Sequence, residues 1–259
     1  STLSSSSAAS DVYKRQQINA SDLSRIDNRI EAVQKVLDEK YNNQERISVY
    51  VKQLDTDRVA AINDEKSMYA ASVAKLGVLY YAQERLSQKK LSLSDEYQYT
   101  SAVNGFPGAY DPDGSGKISK MPDDKNYSLE NLLKAVAQNS DNVATNILGY
   151  YVTNQYDKAF QKSVDKAAAT SWNMDKKELT ARAAGTLMEA VYRQNGDIIN
   201  YLSSTDYDGE RISKNIDVPV AHKIGDAYDF KHDVAIVYAD SPFILSIFTD
   251  KEGLSLIHI

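Results

Sequence analysis

Residues 70–81 read AASVAKLGVLYY, and this stretch is apolar except for Ser72, Lys75 and Gly77. The pattern predicts that this stretch, within a helix over 68–88, is buried on every face. Ser72 and Lys75 stand one helical turn apart and therefore share a face. Because removal from water favours the neutral form of an ammonium group, Lys75 is a candidate base for a Ser72 nucleophile. At the start of a helix, the backbone N–H of Ser72 would also be placed to bind an oxyanion.

The same S-x-x-K spacing occurs twice more, at Ser87–Lys90 and Ser163–Lys166. Both copies lie in polar, lysine-rich stretches, and we expect ordinary solvated roles for them. For an isolated motif the alternative is a capping serine and a lysine whose ammonium reaches the surface. The apolar surroundings distinguish the first copy from the other two.

A second motif, Ser140-Asp141-Asn142, lies in a polar run between two apolar helical patterns. One interpretation is a helix N-terminus, because Ser, Asp and Asn are preferred capping residues. The other is a hydroxyl that passes a proton and an amide that holds a substrate amide.

A third motif, Lys223-Ile224-Gly225, ends one β-like run just before another. A lysine at a strand edge can bind a carboxylate as a point charge, and glycine permits close approach of a ligand to the backbone. The alternative is an ordinary strand lysine followed by a turn.

Around these motifs the apolar spacing alternates between helical and β-like segments. Helices are predicted at 21–41, 68–88, 129–136, from 143, 155–168 and 180–194, and strands at 47–51, 59–62, 218–223, 234–238 and 243–248. Strands at both ends with helices between them predict one sheet built from both ends of the chain. We expect an α/β subdomain of 17–64 with 205–252, an all-α subdomain of 65–204, a long irregular segment at 100–127, and non-native or disordered ends at 1–16 and 253–259.

Composition excludes several classes of function. The net charge of −6, without a basic stripe, argues against a nucleic-acid partner. No apolar run is long enough for a transmembrane helix. The absence of Cys excludes thiolate catalysis, Cys-ligated zinc and disulfides, and His222, His232 and His258 are the only histidines. We expect neither a cofactor nor a confident metal site.

The three motifs, in this order, resemble those of the penicillin-recognising serine enzymes, the class A β-lactamases and penicillin-binding proteins. The stretch HKIGDAYDFKHDVAIVY from His222, followed by PFILSIFTD, looks like the family's K-T-G strand and its two partner strands. Within the family, the chain looks most like β-lactamase-related serine hydrolases of Gram-positive bacteria. The resemblance implies an α+β, β-lactamase-like fold, with a five-stranded antiparallel sheet flanked by helices and an all-α middle.

The resemblance also implies a role for each matching residue. Ser72 would be the acylated nucleophile and Lys75 its general base. Ser140 would pass a proton to the leaving nitrogen, and Asn142 would bind a substrate amide. Lys223 would anchor the substrate carboxylate and hold Ser140.

Further expectations concern the substrate and its surroundings. Gly225 would allow the substrate to approach, and the backbone N–H groups of Ser72 and Asp226 would form the oxyanion hole. The resemblance implies a β-lactam or a peptidoglycan stem peptide as substrate, a monomer, and an extracytoplasmic location in a Gram-positive bacterium, with no signal segment in this chain.

Two departures from the family pattern affect the expected chemistry. Ile224 stands where the family has Thr or Ser, which removes a hydroxyl that would contact the substrate carboxylate. No E-x-x-L-N motif, which carries the glutamate that activates the deacylating water, occurs between Asn142 and Thr180. Glu178 is the sole Glu in that interval, and its context predicts the start of the next helix. We therefore expect acylation with slow deacylation.

Two other segments carry separate expectations. The family closes with a helix on the sheet, which this sequence lacks after Asp250, so one sheet face should be uncovered. The loop DPDGSGKIS matches the start of a calcium loop through Asp111, Asp113 and Ser115, although its closing Glu is missing. A solvated Gly/Asp turn is the alternative for that loop.

Two rival functions remain open on this sequence. One is a D-Ala-D-Ala carboxypeptidase-like cell-wall enzyme or an esterase. The other is a non-catalytic cell-wall binding module that has kept the same scaffold.

Overall fold

Both ends of the described chain contribute strands to one antiparallel sheet. The structure, a computed structural model, describes residues 20–250, with side chains from residue 29 onward. The strands in that range are β1 (Ile47–Gln53), β2 (Val59–Ile62), β3 (Met68–Tyr69), β4 (Glu96–Gln98), β5 (Asn126–Ser128), β6 (Glu178–Leu179), β7 (Val220–Ala227), β8 (Phe230–Val237) and β9 (Phe243–Asp250). The α-helices are α1 (Ala20–Tyr41), α2 (Lys75–Ser87), α3 (Leu129–Asn139), α4 (Asn142–Tyr151), α5 (Lys158–Ala168), α6 (Ala181–Gln194), α7 (Asp197–Tyr201) and α8 (Arg211–Lys214).

The main sheet has five strands in the order β2-β1-β9-β8-β7, and every neighbouring pair is antiparallel. The central strands β1, β8 and β9 are rich in Val, Ile and Phe and are buried along most of their length. Such strands need cover on both faces, which the helices supply. The predicted α+β class and five-stranded antiparallel sheet are confirmed.

The two faces of the sheet pack against different helices. On one face, Ile30, Leu37 and Tyr41 of α1 join an apolar cluster with residues of β1 and β9. On the other face α6 lies close to the strands, since a Cβ at Gly185 would come within 2.6 Å of the Tyr50 ring. The larger core continues from there into the helices between β2 and β7.

Helix α2 lies within the larger core, with Leu76, Val78 and Leu79 fully buried. The predicted helix is confirmed for 75–87 and is largely buried up to Gln83, but the prediction is wrong for 68–74. There, β3 pairs with β6, and a 3₁₀ turn follows at Ala71–Ala74. The pattern of apolar residues does not distinguish these conformations, because each of them is buried.

The predicted helix start at Glu178 is also wrong. Glu178 belongs to β6, and α6 begins after Thr180, whose side chain accepts a hydrogen bond from the N–H of Ala183. The segment 100–127 is largely irregular, as predicted, apart from a 3₁₀ turn at Ser101–Asn104 and the start of β5.

The outer face beside α1 carries an apolar groove. Its walls include Val33 and Val36 of α1 and Phe243 and Leu245 of β9. The expectation of an uncovered sheet face concerns the chain after Asp250, which lies outside the described residues. The expectations for 1–16 and 253–259, including His258, fall outside the described residues, and the division into two subdomains stays a prediction. Among the described helices, none is both long and apolar enough to cross a membrane.

Candidate active site

Ser72 lies in the 3₁₀ turn between β3 and α2, in a strained backbone. The preceding Ala71 has a φ of 49°, in the left-handed region that alanine rarely adopts. Two hydrogen bonds hold it: the Tyr110 hydroxyl donates to the Ala71 carbonyl at 3.0 Å, and the Ala70 N–H donates to the Lys177 carbonyl at 2.7 Å. Strain of this kind costs about 1–3 kcal/mol and is typical of functional sites.

Lys75 begins α2 and is completely buried. Its Nζ donates to Asn142 Oδ1 at 2.6 Å, to the Ser140 carbonyl at 2.7 Å, and lies 3.3 Å from Ser140 Oγ. All three acceptors are uncharged. Burial holds the pKa of Lys75 well below its usual value, and the positive charge of Lys223 lowers it further, against the opposing charge of Asp141. Lys75 is thus suited to accept a proton.

Ser140 connects the two buried lysines of the site. It adopts a left-handed conformation, with a φ of 52°, at the end of α3. Its Oγ accepts a hydrogen bond from Lys223 Nζ at 2.8 Å and faces Lys75 Nζ. Since Lys223 donates to this oxygen, the hydroxyl hydrogen is available to be donated to another group.

Lys223 extends from the edge strand β7 and is buried. Its Nζ also donates to the carbonyl of Ile224 at 2.9 Å. Burial lowers the pKa of Lys223 to about 7, with Asp233 opposing and Arg211 adding to the shift. The strand reaches the 3₁₀ turn that carries Ser72 through Gly225, where a Cβ would lie 2.6 Å from the Ala70 carbonyl. The predicted close approach at Gly225 is therefore to the protein's own backbone.

The three residues of the motif at 140–142 point to different parts of the structure. Asp141 caps α4, because its Oδ1 accepts from the N–H of Ala144 at 2.8 Å. Ser140 and Asn142 instead face Lys75. Asn142 is buried, and its Nδ2 donates to the Asp111 carbonyl at 2.8 Å. Its amide is therefore already bonded on both sides by protein groups.

The loop that was a candidate calcium site lies against this motif. Ser115 Oγ donates to the Ser140 carbonyl at 2.6 Å, and the Ser115 carbonyl accepts from the Asn142 N–H at 2.9 Å. Asp111 Oδ1 accepts from the N–H of Asp113. Across residues 20–250 no group of three or more His, Cys, Asp or Glu side chains could hold a metal. The structure thus gives the loop a role in bracing the site.

Asp226 follows Gly225 on β7, and its side chain is exposed but paired. Arg211 Nη2 contacts Asp226 Oδ2 at 2.7 Å, and Arg211 Nη1 donates to the His232 carbonyl at 2.9 Å. Ile224, in contrast, is buried. This end of the strand therefore carries an Arg211–Asp226 ion pair beside Ile224, the residue that replaces the family's hydroxyl.

The two described histidines serve the structure around β7. His222 lies between Asp233, at 3.1 Å, and Asp208, at 2.9 Å. His232 Nε2 donates to the Tyr69 carbonyl at 2.7 Å, and its Nδ1 accepts from the N–H of Thr249. Burial lowers the pKa of His232 to about 4, so it stays neutral.

Some predicted residues lie elsewhere, and some site residues were not predicted. Lys90 and Lys166, from the other S-x-x-K copies, are exposed as expected, and Ser163 bonds to Glu84. Tyr110, Lys177 and Arg211 were missed. Lys177 could have been noticed because it is the neighbour of Glu178, the sole Glu between positions 142 and 180. Tyr110 and Arg211 lie in segments without a recognisable pattern.

Comparison with known proteins was made at the level of sequence and of structure. The sequence model of the β-lactamase enzyme family matches residues 28–255. No curated protein sequence is significantly similar to the chain.

Similar solved structures share the fold at low identity. PBP-A is 14% identical, with a TM-score of 0.73, over 87% of this chain and 91% of that chain. A PBP-A variant in an acyl-enzyme complex with penicillin G is 15% identical, with a TM-score of 0.71, over 89% and 92%. A β-lactamase from Sphaerobacter thermophilus is 15% identical, with a TM-score of 0.67, over 86% and 88%.

Proposed function

The chain belongs to the β-lactamase enzyme family, and from this we propose that Ser72 attacks the carbonyl carbon of a β-lactam or a D-Ala-D-Ala-like amide to form an acyl-enzyme. One observation carries the proposal. The buried amine of Lys75, the hydroxyl of Ser140 and the ammonium of Lys223 form a continuous hydrogen-bonded chain, in which Lys75 lies one turn from Ser72. A purely structural role would not require two buried lysines without a directly bonded carboxylate.

The acylation step follows from these positions. The Lys75 amine accepts the proton of the Ser72 hydroxyl as Oγ bonds to the carbonyl carbon. The backbone N–H groups of Ser72 and Asp226 are the proposed donors to the resulting oxyanion. Ser140 gives its proton to the leaving nitrogen as the C–N bond breaks, and it regains a proton from Lys75. An ester on Ser72 and a free amine result.

The substrate-binding groups support weaker binding of a substrate carboxylate than the family pattern implies. Lys223 supplies a positive charge at the site, but Ile224 offers no hydroxyl, and Arg211 is already paired with Asp226. We therefore place β-lactams among the substrates with reduced affinity. A D-Ala-D-Ala-like cell-wall peptide is the second candidate, and a monomer in an extracytoplasmic location is part of the same proposal.

Deacylation is the proposed slow step. Glu178, the sole Glu between Asn142 and Thr180, is exposed on β6, and Asp141 is engaged as a helix cap. Among the described residues, the loop between α5 and α6 sends Lys177, rather than a carboxylate, into the interior beside the nucleophile turn.

Intact-protein mass spectrometry with penicillin G tests the proposal. We expect the mass of the protein to rise by that of one penicillin molecule, and Ser72→Ala to abolish the adduct. Ser87→Ala and Ser163→Ala are matched controls that should label like the wild type. Labelling that survives in Ser72→Ala would contradict the assignment, and no labelling of the wild type by either penicillin G or a D-Ala-D-Ala peptide thioester would favour the non-catalytic binding module.

A further inference from the structure

Lys177 is a buried lysine that the acylation steps above do not use. It precedes β6, with a φ of 55°, and only 6% of its surface is exposed. The neighbouring Glu178 points outward, so the chain turns its lysine and not its glutamate toward the interior. Lys177 Nζ donates to the Gly108 carbonyl at 2.6 Å.

The ring of Tyr110 is contacted by both this lysine and the proposed base. Lys177 Nζ lies 4.5 Å from the centre of the ring, and Lys75 Nζ lies 4.6 Å from the same centre. The two nitrogens can therefore be no further apart than the sum of these distances. Burial raises the pKa of Tyr110 well above its usual value, so the ring stays a neutral phenol.

Lys177 also holds the nucleophile turn from two directions. Its carbonyl accepts from the Ala70 N–H, two residues before Ser72. Its ammonium fixes Gly108, and from there the chain leads to Tyr110, whose hydroxyl donates to the Ala71 carbonyl. One residue thus contacts both segments that maintain the strained turn.

We propose that Lys177 is a positioning residue for acylation, whose ammonium, held against the Tyr110 ring that Lys75 also contacts, favours the amine form of Lys75. This inference rests on the proposed function for its catalytic meaning, whereas the coupling between the two lysines can be measured without it. Both nitrogens lie within 4.6 Å of the centre of one ring and both side chains are buried, so their repulsion is weakly screened by water.

The surrounding charges determine the direction of the effect. Lys75 is faced by Lys223 from β7, by Asp141 from the start of α4 and by Lys177, while Asp175 is the carboxylate that acts on Lys177. Burial lowers the pKa of Lys177 as well, but less far than that of Lys75. Removal of the Lys177 charge therefore raises the pKa of Lys75 and moves the acid limb of acylation to higher pH.

Three substitutions separate the positive charge of Lys177 from its hydrogen bond to the Gly108 carbonyl. Lys177→Gln keeps a donor for the Gly108 carbonyl without the charge, Lys177→Arg keeps both, and Lys176→Met changes an exposed neighbour as a control. We measure the rate of acylation by a β-lactam as a function of pH. In Lys177→Gln, the apparent pKa of the acid limb of this profile should rise by about one pH unit. Lys177→Arg and Lys176→Met should follow the wild-type profile.

A second measurement does not depend on acylation. The pKa of Lys75 can be followed by NMR of protein labelled with ¹³C-lysine, with the resonance assigned by Lys75→Arg. The inference is overturned if Lys75 titrates identically in the wild type and Lys177→Gln, or if Lys177→Arg shifts as far as Lys177→Gln. A wild type that never acylates, combined with a shifted Lys75 titration in Lys177→Gln, would reject the proposed function and retain the electrostatic coupling.

Discussion

Lys223 and Ser140 are joined by a buried hydrogen bond of 2.8 Å although 83 residues separate them in the chain. The bond connects the edge strand β7 to the junction of α3 and α4, and so links the sheet to the helical part of the fold. Lys75 contacts the same serine from the nucleophile side. The site therefore exists only where three distant segments meet.

Lys75→Arg should abolish acylation near neutral pH. An arginine stays protonated, whereas the lowered pKa of Lys75 leaves an amine that can accept the proton of Ser72. We expect the rate constant of acylation by a chromogenic β-lactam to fall by about 10²-fold or more. Lys90→Arg, in an exposed S-x-x-K copy, is the control, and an Lys75→Arg protein that acylates at the wild-type rate would remove Lys75 from the mechanism.

Gly225→Ala should damage both stability and acylation. Its Cβ would lie 2.6 Å from the Ala70 carbonyl and 3.1 Å from the Val73 N–H, so β7 and the nucleophile turn would have to separate. Overpacking of this kind costs about 1–3 kcal/mol, which urea unfolding would measure. Gly209→Ala, where a Cβ meets nothing within 4 Å, should leave both properties unchanged. Wild-type stability in Gly225→Ala would show that the contact is not tight.

The time course with a chromogenic β-lactam should show a burst. Acylation has a base in Lys75, while no described carboxylate is placed to activate water for deacylation. We expect a burst of about one equivalent followed by turnover slower by about 10²–10⁴-fold. Glu178→Gln should not alter either phase, because Glu178 is exposed. Rapid multiple turnover without an accumulating acyl-enzyme would contradict this expectation.

The stability of the protein should fall as the pH rises through the pKa of His222. Burial alone would lower this pKa, but Asp233 and Asp208 overcome burial and raise it above its ordinary value. The imidazolium therefore contributes its full stabilisation below about pH 6.5, and this is lost at higher pH. The unfolding free energy of the wild type relative to His222→Gln should shrink over that range.

His232→Gln is the control for that pH dependence. His232, with a pKa of about 4, remains neutral throughout the same range. The unfolded imidazole still titrates near pH 6.5, so the difference between the wild type and His232→Gln should grow as the pH rises from about 4 to 6.5 and stay level above that, which is the opposite sign to His222. A difference for His222→Gln that does not shrink with rising pH would show that His222 is not charged in the folded protein.

Local patterns were sufficient to predict the sheet, most helices and the core of the site. The apolar surroundings of Lys75 and the alternation in β1, β8 and β9 are properties of short segments, and the motif order related them to a known family. The nucleophile turn was missed because its conformation depends on tertiary contacts. Alanine at 71 adopts a positive φ under bonds from Tyr110 and Lys177, and neither partner is near it in sequence.

Side chains whose partners are distant in the sequence could not be predicted from local patterns either. Arg211 pairs with Asp226 from a segment without an apolar period, and Lys177 reaches Gly108 across 69 residues. Glu178 is the sole Glu between Asn142 and Thr180 and drew attention for that reason. The adjacent Lys177 is the residue that faces inward. The alternation of side chains along a strand two residues long leaves no periodic signal in the sequence.

The bracing of Asn142 by the loop at 111–118 has a consequence for inhibitor chemistry. An acyl side chain that presents a carbonyl oxygen to the Asn142 amide would compete with the Asp111 carbonyl, and one that approaches the amide oxygen would meet Lys75 and Ser115. Compounds elaborated on that side would therefore gain little from polar groups. Small acylating warheads without a polar side chain on that side offer the better starting scaffold for covalent probes directed at Ser72.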